Sequence, residues 1–491
     1  MTSSNNPLRD DKQDFRRLAE RTIAIAADHL ESLTDKQVDR VMPETVRRQL
    51  LDQPLPETGL SADEVIDYLR DHVMPWPLPT GHERSYGWIN SPPAPIGILA
   101  NTLATSLNAT LDGFDHSGIF LLSCVSRWLM ELLELPTRDS MGLLLSGGSA
   151  CNLNALTVAR HRAAKLAGYD IRENGLQSID KKLLVYCSAQ AHSSIQKCVE
   201  TLGLGSSAMR LVPTDNASRA QPEVLEEMVA ADLEAGHLPC CVVALAGATN
   251  TGAIDPLGPI ADICVKYDIW LHIDAAYGAI GILDPAYHDQ FTGLSRADTV
   301  TFNPHKWLMT PVDCGALLIR DKVIQREAFS LVPDYLEEGG TDDAPWPYQY
   351  SFQLTYADRA VKTWATLARL GRDGLAALVI RLNELARLLG ERVQAQAGFE
   401  LMAPVSLSIV CFRYVPATDM DDNALDELQS TISQRISDSG EAHLPTTRVN
   451  GRSCLRVCFM HYENDEQDIE HLIALVERVA NAAPSQTKSR I

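Results

Sequence analysis

The chain has 491 residues, 45% of them hydrophobic, so it can bury a large core. That length corresponds to about two to four domains. Its 64 acidic and 43 basic side chains give a net charge of −21, which repels nucleic-acid backbones and anionic membrane surfaces. The polar N-terminus lacks a signal-peptide pattern, and no apolar run approaches the roughly 20 residues that span a bilayer. Composition therefore predicts a cytoplasmic protein that binds neither nucleic acid nor membrane.

The N-terminal stretch predicts a helix. From Asp14 to Leu33, apolar residues recur at helical intervals among charged ones. This pattern is typical of an amphipathic helix that packs on another surface, here across a subunit boundary. A proline cluster at Pro75, Pro77 and Pro79 then breaks regular structure. We therefore assign residues 1–85 to a helical dimerisation segment.

The middle of the chain predicts an α/β domain. Short β-rich runs alternate with helical patterns, which is typical of a mostly parallel sheet with helices on both faces. The runs are Leu183 to Cys187, Cys240 to Ala246, Ile269 to Ile273, Thr299 to Phe302 and Gly315 to Ile319. We assign residues 86–380 to this large domain.

The last part of the chain predicts a smaller α+β domain at residues 381–491. After a helical stretch from Val361 to Gln396, strand-like runs at Leu407 to Tyr414 and Cys454 to Met460 precede a helix from Glu466 to Ala480. The eleven cysteines are scattered and none forms a CxxC pair. They predict buried, reduced thiols rather than a disulfide framework or a zinc site.

Lys306 and Asp274 each follow an apolar run directly. Because ligands of open sheets bind at the carboxyl ends of the strands, we expect both residues in one crevice. A buried ammonium is costly, so a lysine in this position requires a partner. Its desolvated amine could form an imine with pyridoxal phosphate (PLP), while the carboxylate keeps the pyridine nitrogen protonated. The alternatives are a solvated surface amine and a carboxylate that caps a helix beginning at Ala275.

The segment from Ser146 to Asn152 follows the apolar run Leu143 to Leu145 and precedes a helical stretch from Leu153 to Leu166. Its glycines let backbone N–H groups approach an anion at the helix N-terminus, where the helix dipole favours negative charge. The segment therefore predicts a phosphate cradle. The alternative is a turn that only joins a strand to a helix.

Two further loops place polar side chains at the same edge of the predicted sheet. His192, in Ala191-His192-Ser193-Ser194, could stack on the pyridine ring and later move a proton. The alternative is a helix-capping turn in which a serine caps and His192 lies on the surface. Thr249 follows the strand that ends at Ala246 and offers a hydroxyl to the phenolic oxygen of the cofactor, although such hydroxyls usually bond to backbone.

The chain resembles the group II PLP-dependent amino acid decarboxylases, the family of aromatic-L-amino-acid, histidine and glutamate decarboxylases. The resemblance runs over nearly the whole chain and implies the aminotransferase-like α/β fold (fold type I), with a smaller C-terminal domain and a homodimer interlocked through the N-terminal segment. It rests on segments in the family's order and spacing: Ser146 to Leu153, Ala191-His192-Ser193-Ser194, Gly247 to Asp255, His272 to Tyr277, Asn303 to Trp307 and Asp313-Cys314.

The resemblance also implies a role for each site residue. Lys306 would form the imine, Asp274 would pair with the pyridinium, and Ala276 would pack under the ring. His192 would stack on the other face, and Thr249 would support the phenolic oxygen. The phosphate or the substrate carboxylate would be surrounded by Ser149, Ala150, Cys151, Asn303 and His305, with Cys151 standing where the family often has a serine.

The implied activity is decarboxylation of an L-amino acid to the amine and CO₂. A loop between Glu337 and Phe352 would close and exclude water, and its Tyr348, with Tyr350 in reserve, would return a proton to the α carbon. His192 is another candidate for that proton transfer, and the alternative for the tyrosine is simple packing of a surface loop. The segment from Gly87 to Pro93, where relatives recognise the substrate side chain, repeats neither their aromatic nor their acidic version. The substrate is therefore not predicted.

Two other functions remain open at this point. The same cofactor site could carry out oxidative decarboxylation-deamination to an aldehyde, or transamination. A non-catalytic relative could instead keep the dimer scaffold as a binding module. The second alternative predicts a replaced lysine or aspartate, whereas Lys306 and Asp274 are both present.

Overall fold

The computed structural model describes residues 7–331 and 339–482. The helix expected from Asp14 is present and begins earlier, at Pro7. None of the helices in the described ranges is long and apolar enough to cross a membrane. Five α-helices of the described chain precede the first strand: α1 (Pro7–Glu31), α2 (Glu44–Leu51), α3 (Ala62–Tyr68), α4 (Pro95–Leu107) and α5 (Ser117–Leu132).

The large domain is built on a sheet whose described strands are β1 (Met141–Leu145), β2 (Leu183–Ser188), β3 (Met209–Val212), β4 (Leu238–Leu245), β5 (Trp270–Asp274), β6 (Thr299–Phe302) and β7 (Gly315–Ile319). Their spatial order is β1-β7-β6-β5-β4-β2-β3. β2 to β6 are parallel to one another, and β7 is antiparallel to both β1 and β6. Every residue of β1, β2, β5, β6 and β7 is buried, because helices cover both faces of the sheet. The predicted mostly parallel sheet is confirmed.

The register of the central strands brings their carboxyl ends level with one another. Leu245 of β4 pairs with Asp274 of β5, and Asp274 pairs with Thr301 of β6. The loops that follow these three strands therefore emerge side by side. One edge of the sheet can hold Asp274, Thr249 and Lys306 together.

The connections of the large domain are helical. They are α6 (Gly148–Leu166), α7 (Ile171–Asn174), α8 (Ser193–Thr201), α9 (Pro222–Glu234), α10 (Leu257–Tyr267) and α11 (Lys322–Phe329). α6 packs against β4, β5, β6 and β7 and so crosses the middle of the sheet. It begins at Gly148 rather than at Leu153, so the predicted small-residue loop is the first turn of the helix. Glycine lowers helix propensity within a helix, but the cost is small at its first residue, where few intrahelical bonds depend on it.

The long helix α12 (Ala360–Ala395) leads into the C-terminal part, where β8 (Phe399–Leu401), β9 (Ile409–Tyr414), α13 (Asp422–Ser439), β10 (Thr446–Val449), β11 (Arg452–Cys458) and α14 (Glu466–Asn481) follow. The four strands form an antiparallel sheet in the order β10-β11-β9-β8. The sequence predicted β9 and β11 but not β8 and β10. These two edge strands are only three and four residues long and partly exposed, so their apolar pattern is weak.

One predicted domain boundary lies within a helix, and the other lies in a segment that is bonded to the C-terminal part of the chain. The limit at residue 380 lies within α12, whose backbone departs from helical geometry at Gly371. At the limit near residue 85, Ser85 bridges to His443 and the Tyr86 N–H donates to the His443 carbonyl at 2.9 Å. The chain between the N-terminal helices and the large domain is therefore bonded to the C-terminal part, and the division into three domains stays a prediction.

Candidate active site

A cavity of about 340 Å³ lies at the carboxyl edge of the large sheet. It is bordered by the segments that follow β1, β2, β4, β5 and β6, as expected for an open α/β sheet. Nine of the predicted site residues line it: Ser149, Ala150, His192, Thr249, Asp274, Ala276, Asn303, His305 and Lys306. A larger cavity of about 640 Å³ beside α5 and β1 contains none of the predicted site residues.

Lys306 lies four residues after β6, and its backbone is held in place by neighbours. Its N–H donates to the Asn303 carbonyl at 2.9 Å, and the Ser91 hydroxyl donates to the Lys306 carbonyl. Burial lowers the pKa of the Lys306 amine, Asp274 opposes this effect, and the Arg456 guanidinium adds to it. The surroundings thus favour the uncharged amine, which is the nucleophilic form.

Asp274 ends β5 and is only 7% exposed. Its Oδ1 accepts from the Ala276 N–H at 3.1 Å, and its Oδ2 accepts from the Asn152 Nδ2 at 3.0 Å. The bond to Ala276 is the local backbone capping that the sequence left open as an alternative, although no α-helix starts there and a 3₁₀ turn follows at Gly278–Leu283. Asp274 nevertheless also borders the cavity, so capping and contact with a ligand are compatible.

The start of α6 has the chemistry of an anion site. The first N–H groups of a helix lack intrahelical partners, and its dipole favours negative charge there. Gly147 has a φ of 155°, and a Cβ on Gly148 would lie 3.0 Å from the Asn303 Nδ2, so glycine keeps this space open. Asn303 is buried and lines the cavity, and its Nδ2, a hydrogen-bond donor, is the atom nearest to that Cβ position. These features fit a phosphate group.

His305 adds a donor at the same place. Its Nδ1 accepts from the Cys314 N–H at 3.0 Å. Burial, together with Lys306 when its amine is protonated, lowers the pKa of His305 to about 4. The ring is therefore neutral near pH 7, and its proton resides on Nε2.

His192 caps α8 and also borders the cavity. Its Nδ1 accepts from the Ser194 N–H at 3.2 Å, so the histidine itself, and not a serine, is the capping residue. Desolvation lowers the pKa of His192, Asp274 opposes this effect, and Lys306 and Lys197 reinforce it. The sequence presented capping and stacking as alternatives, but the geometry permits both.

Two predicted residues do not line the cavity. Cys151 is fully buried within α6, and burial raises the pKa of its thiol, which leaves it a neutral packing group. Tyr348 lies in the 3₁₀ turn Pro347–Tyr350, is 7% exposed and accepts a hydrogen bond from the Gln349 amide at 3.3 Å. Tyr350 is likewise buried and absent from the cavity wall. Residues 337 and 338 of the predicted loop lie outside the described ranges.

Two residues of the site were not assigned from the sequence. Asn152 is buried, borders the cavity and donates to Asp274. Arg456 of β11 donates to the carbonyls of Thr249 and Gly87, and no described carboxylate forms an ion pair with it. A charged residue inside the apolar run from Leu455 to Met460 was a signal that could have indicated Arg456. Nothing in the local sequence distinguishes Asn152 from an ordinary helix residue.

Within the described ranges, no group of three or more His, Cys, Asp or Glu side chains is placed to hold a metal ion. The donors present are instead a desolvated amine, a buried carboxylate, a flat imidazole and a helix N-terminus around one cavity. This set fits PLP, because it offers a partner for the aldehyde, the pyridine nitrogen, the ring face and the phosphate. Fold and site thus define the class of fold type I, PLP-dependent enzymes.

Comparison with known proteins specifies the family. The Pyridoxal-dependent decarboxylase conserved domain matches residues 43–415, and the chain therefore belongs to this family of PLP-dependent carboxy-lyases. The predicted family, cofactor and enzyme class are confirmed.

Three similar proteins illustrate the range of the family. An aromatic-L-amino-acid decarboxylase of Bacillus atrophaeus is 29% identical over 96% of this chain and 97% of its own. An L-2,4-diaminobutyrate decarboxylase of Rhizobium meliloti (strain 1021) is 32% identical over 87% of this chain and 84% of its own. A crystal structure of Oryza sativa TDC with PLP and tryptamine superposes with a TM-score of 0.89, covers 98% of this chain and 99% of its own, and is 24% identical. This likeness confirms the predicted fold class.

Proposed function

We propose that this enzyme converts an L-amino acid into the corresponding amine and CO₂, with Lys306 as the residue that carries the cofactor. The observation that supports the assignment most directly is a lysine whose amine is desolvated beside a buried carboxylate in the same cavity. When bound, PLP supplies an electron sink that allows the substrate carboxylate to leave as CO₂.

The residues of the cavity have separate tasks in this proposal. Lys306 presents an amine whose pKa is lowered by burial, and Asp274 supplies the carboxylate that keeps the pyridine nitrogen protonated. The first turn of α6, with Ser149 and Ala150, holds the phosphate together with Asn303 and His305. Thr249 supports the phenolic oxygen, and Ala276 and His192 enclose the two ring faces.

Arg456 brings a positive charge next to the cavity, because it donates to the carbonyl of Thr249, one of the lining residues. Its guanidinium is held by the Thr249 and Gly87 carbonyls, and its positive charge reaches Lys306. Since no described carboxylate neutralises it, this charge attracts the carboxylate of an incoming amino acid.

The return of a proton to the α carbon has three proposed donors. His192 borders the cavity, whereas Tyr348 and Tyr350 do not border it in the single chain. The geometry of one chain thus supports His192 most directly. The tyrosines remain predictions that product analysis can test.

A panel of L-amino acids tests the function. The panel includes aromatic, acidic and diamino substrates, and each is scored for CO₂, amine, aldehyde, hydrogen peroxide and keto acid with PLP present. We expect CO₂ and amine in equal amounts from one chemical class. Aldehyde with peroxide would assign oxidative decarboxylation-deamination instead, and keto acid without CO₂ would assign transamination. The absence of every product across the panel would favour a non-catalytic scaffold.

The proposed assembly is a homodimer. On α4, four large apolar side chains, Ile96, Leu99, Leu103 and Leu107, share one face and are between 37% and 65% exposed. On α1 and α3, Phe15 and Val65 are also exposed, at 62% and 43%. Exposed apolar side chains on α4 and in the predicted dimerisation segment are typical of subunit interfaces.

A further inference from the structure

Asn152 is the centre of a buried hydrogen-bond network at the wall of the cavity. The residue is 1% exposed and uses all of its amide hydrogen-bonding capacity. Its Nδ2 lies 3.0 Å from the Asp274 Oδ2 and 3.1 Å from the Ser194 Oγ. Its Oδ1 lies 2.7 Å from the Thr301 Oγ1 and 3.1 Å from the His272 Nε2.

The chemistry of Asp274 determines which way this amide points. An ionised carboxylate can only accept hydrogen bonds, so the amide nitrogen of Asn152 must face it. The amide oxygen then faces Thr301 and His272, and both of these must donate to it. His272 consequently carries its proton on Nε2.

The hydrogen bonds of His272 to Thr299 are consistent with this orientation of the Asn152 amide. The His272 Nδ1 lies 2.9 Å from the Thr299 Oγ1, which in turn accepts from the Trp270 Nε1 at 3.1 Å. Because the Thr299 oxygen accepts from Trp270, its own hydrogen is available to His272 Nδ1. Burial lowers the pKa of His272 to about 4, so this ring is neutral and its two nitrogens have opposite roles.

The near end of the network reaches His192. The Ser194 hydroxyl accepts from Asn152, so its hydrogen is directed to the His192 Nδ1, 2.9 Å away. The Ser194 N–H points to the same nitrogen at 3.2 Å. Two donors facing Nδ1 leave it without a proton, and the neutral ring carries its proton on Nε2.

We propose that Asn152 is a positioning residue that orients Asp274 and, through the Ser194 hydroxyl, holds His192 as a neutral ring with its proton on Nε2. The inference rests on the proposed function in placing Asp274 and His192 at the cofactor. A neutral ring does not compete with a pyridinium for the negative charge of Asp274, and its Nε2–H remains available as a donor. The charged groups that face His192 are Asp274, Lys306 and Lys197.

We call the hydrogen bonds that run from residue 152 through the Ser194 hydroxyl to His192 the relay. The variant Asn152→Asp reverses their direction with almost no change in the shape of the side chain. The oxygen that replaces Nδ2 has at most one hydrogen, which it shares with Asp274, so it must accept from the Ser194 hydroxyl. The serine then presents a lone pair to the His192 Nδ1, which favours a protonated Nδ1. Because a hydrogen bond accepted from a protonated Nδ1 favours the charged ring, we expect the pKa of His192 to rise by about one unit or more.

The measurement is ¹⁵N NMR of the full-length, cofactor-loaded protein with labelled histidine, recorded against pH, with the His192 signals assigned from a His192→Gln spectrum. The wild type should show a protonated Nε2 and an unprotonated Nδ1. In the Ser194→Ala background, Asn152→Asp should raise the pKa of His192 by clearly less, because the relay is absent and only the charge effect remains. The matched control is Asn154→Asp, a buried asparagine of α6 that bonds to the Ala150 carbonyl and should leave His192 unchanged.

Two results would overturn the inference. The first is a wild-type His192 protonated on Nδ1, and the second is an equal pKa rise from Asn152→Asp with and without the Ser194 hydroxyl. Neither readout depends on turnover. A failed substrate panel with an intact relay would therefore refute only the proposed function, and the reverse outcome would refute only the relay.

Discussion

Lys306 is a buried lysine whose surroundings disfavour the protonated form of its amine. Desolvation lowers its pKa, and the nearby Asp274 opposes this effect only in part. Asp274 is itself held by Asn152 and by the Ala276 N–H, so the carboxylate cannot turn to form a close ion pair without losing those bonds. The balance leaves a reactive amine and a fixed negative charge in the same cavity.

Replacing Lys306 tests this arrangement directly. In Lys306→Ala, the visible absorbance of lysine-bound PLP and the turnover should both be lost, because the described residues of the cavity wall offer no other side-chain amine for the covalent attachment. Borohydride reduction and peptide mapping should locate the label on residue 306 of the wild type. The control is Lys362→Met, which replaces a buried lysine that does not line the cavity and should keep the absorbance. A Lys306→Ala protein that retained both properties would contradict the assignment.

The role of Tyr348 is tested by its products. If Tyr348 protonates the α carbon, Tyr348→Phe should divert product from amine toward aldehyde, because the unprotonated carbon remains open to oxidation. The comparison variants are Tyr350→Phe and Tyr335→Phe, the latter in the segment outside the described residues, each assayed by chromatography of amine and aldehyde. An unchanged product ratio for Tyr348→Phe would leave the role to another tyrosine or to His192.

Site residues that are unusual in their local sequence could be predicted. A lysine after an apolar strand, or a small-residue segment between strand and helix, is unusual enough to indicate a site, and Lys306, Asp274 and Gly148 are examples. Asn152 was not predictable as a positioning residue, since its partners Asp274 and Thr301 lie more than 100 residues away. Its role depends on which strands are neighbours, and no local pattern records that.

At the scale of elements, α12 was predicted with nearly correct limits, but its break at Gly371 was not. The helical pattern continues on both sides of Gly371, so periodicity alone does not reveal a change of direction. Gly371 has φ 64° and ψ 176°, a conformation essentially restricted to glycine. The break separates the part of α12 in which Trp364 stacks on Trp128 of α5 from the part that leads to β8.

A pair of glycines in α12 provides a matched test. Gly371→Ala should lower the free energy of unfolding by about 1–3 kcal/mol through backbone strain alone, since a Cβ there would meet nothing within 4 Å. Gly374→Ala, in helical backbone with its nearest neighbour at 3.9 Å, should instead stabilise by about 0.5–1 kcal/mol. Denaturant titration of both variants measures the two effects. Equal effects of the two substitutions would contradict the break.

At the scale of the whole molecule, the exposed face of α4 predicts the oligomeric state. The wild type should sediment as a dimer, and Leu103→Glu should shift it toward monomer, because a charge in a closely packed apolar interface is strongly unfavourable. The control is Leu166→Glu at the end of α6, where the leucine is similarly exposed, at 60% against 65%. A monomeric wild type in analytical ultracentrifugation, or dissociation by both variants alike, would argue against this interface.

The pH dependence of stability is the second prediction at this scale. His272 and His305 have a pKa of about 4 when folded and 6.5 when unfolded, so between these values the unfolded chain binds more protons and stability rises with pH. Burial raises the pKa of Asp255 to about 6, which has the opposite effect between pH 3.8 and 6. Of these three groups, the two histidines outweigh the one carboxyl group, and together the three contribute a rise of about 1 kcal/mol per pH unit between pH 5 and 6.

Chemical denaturation at pH 5, 5.5 and 6 checks this slope. The variant His272→Gln removes one of the two histidines and should lower the slope by about 1 kcal/mol per pH unit. A wild type that became less stable as the pH rose through this window would show that buried carboxyl groups outweigh the histidines.

The sequence by itself determined the alternation of strands and helices, the α/β class, and the lysine and carboxylate of the site. Each of these follows from local patterns, because burial on both faces makes a strand apolar and a charged residue at its end stands out. The tertiary structure alone decided that α6 begins within the predicted phosphate cradle, that Arg456 bonds to the Thr249 carbonyl, that Tyr348 does not line the cavity, and that Asn152 connects Asp274 with His192 through Ser194. These depend on the order and register of strands distant in the chain, which are set by the packing of the whole sheet.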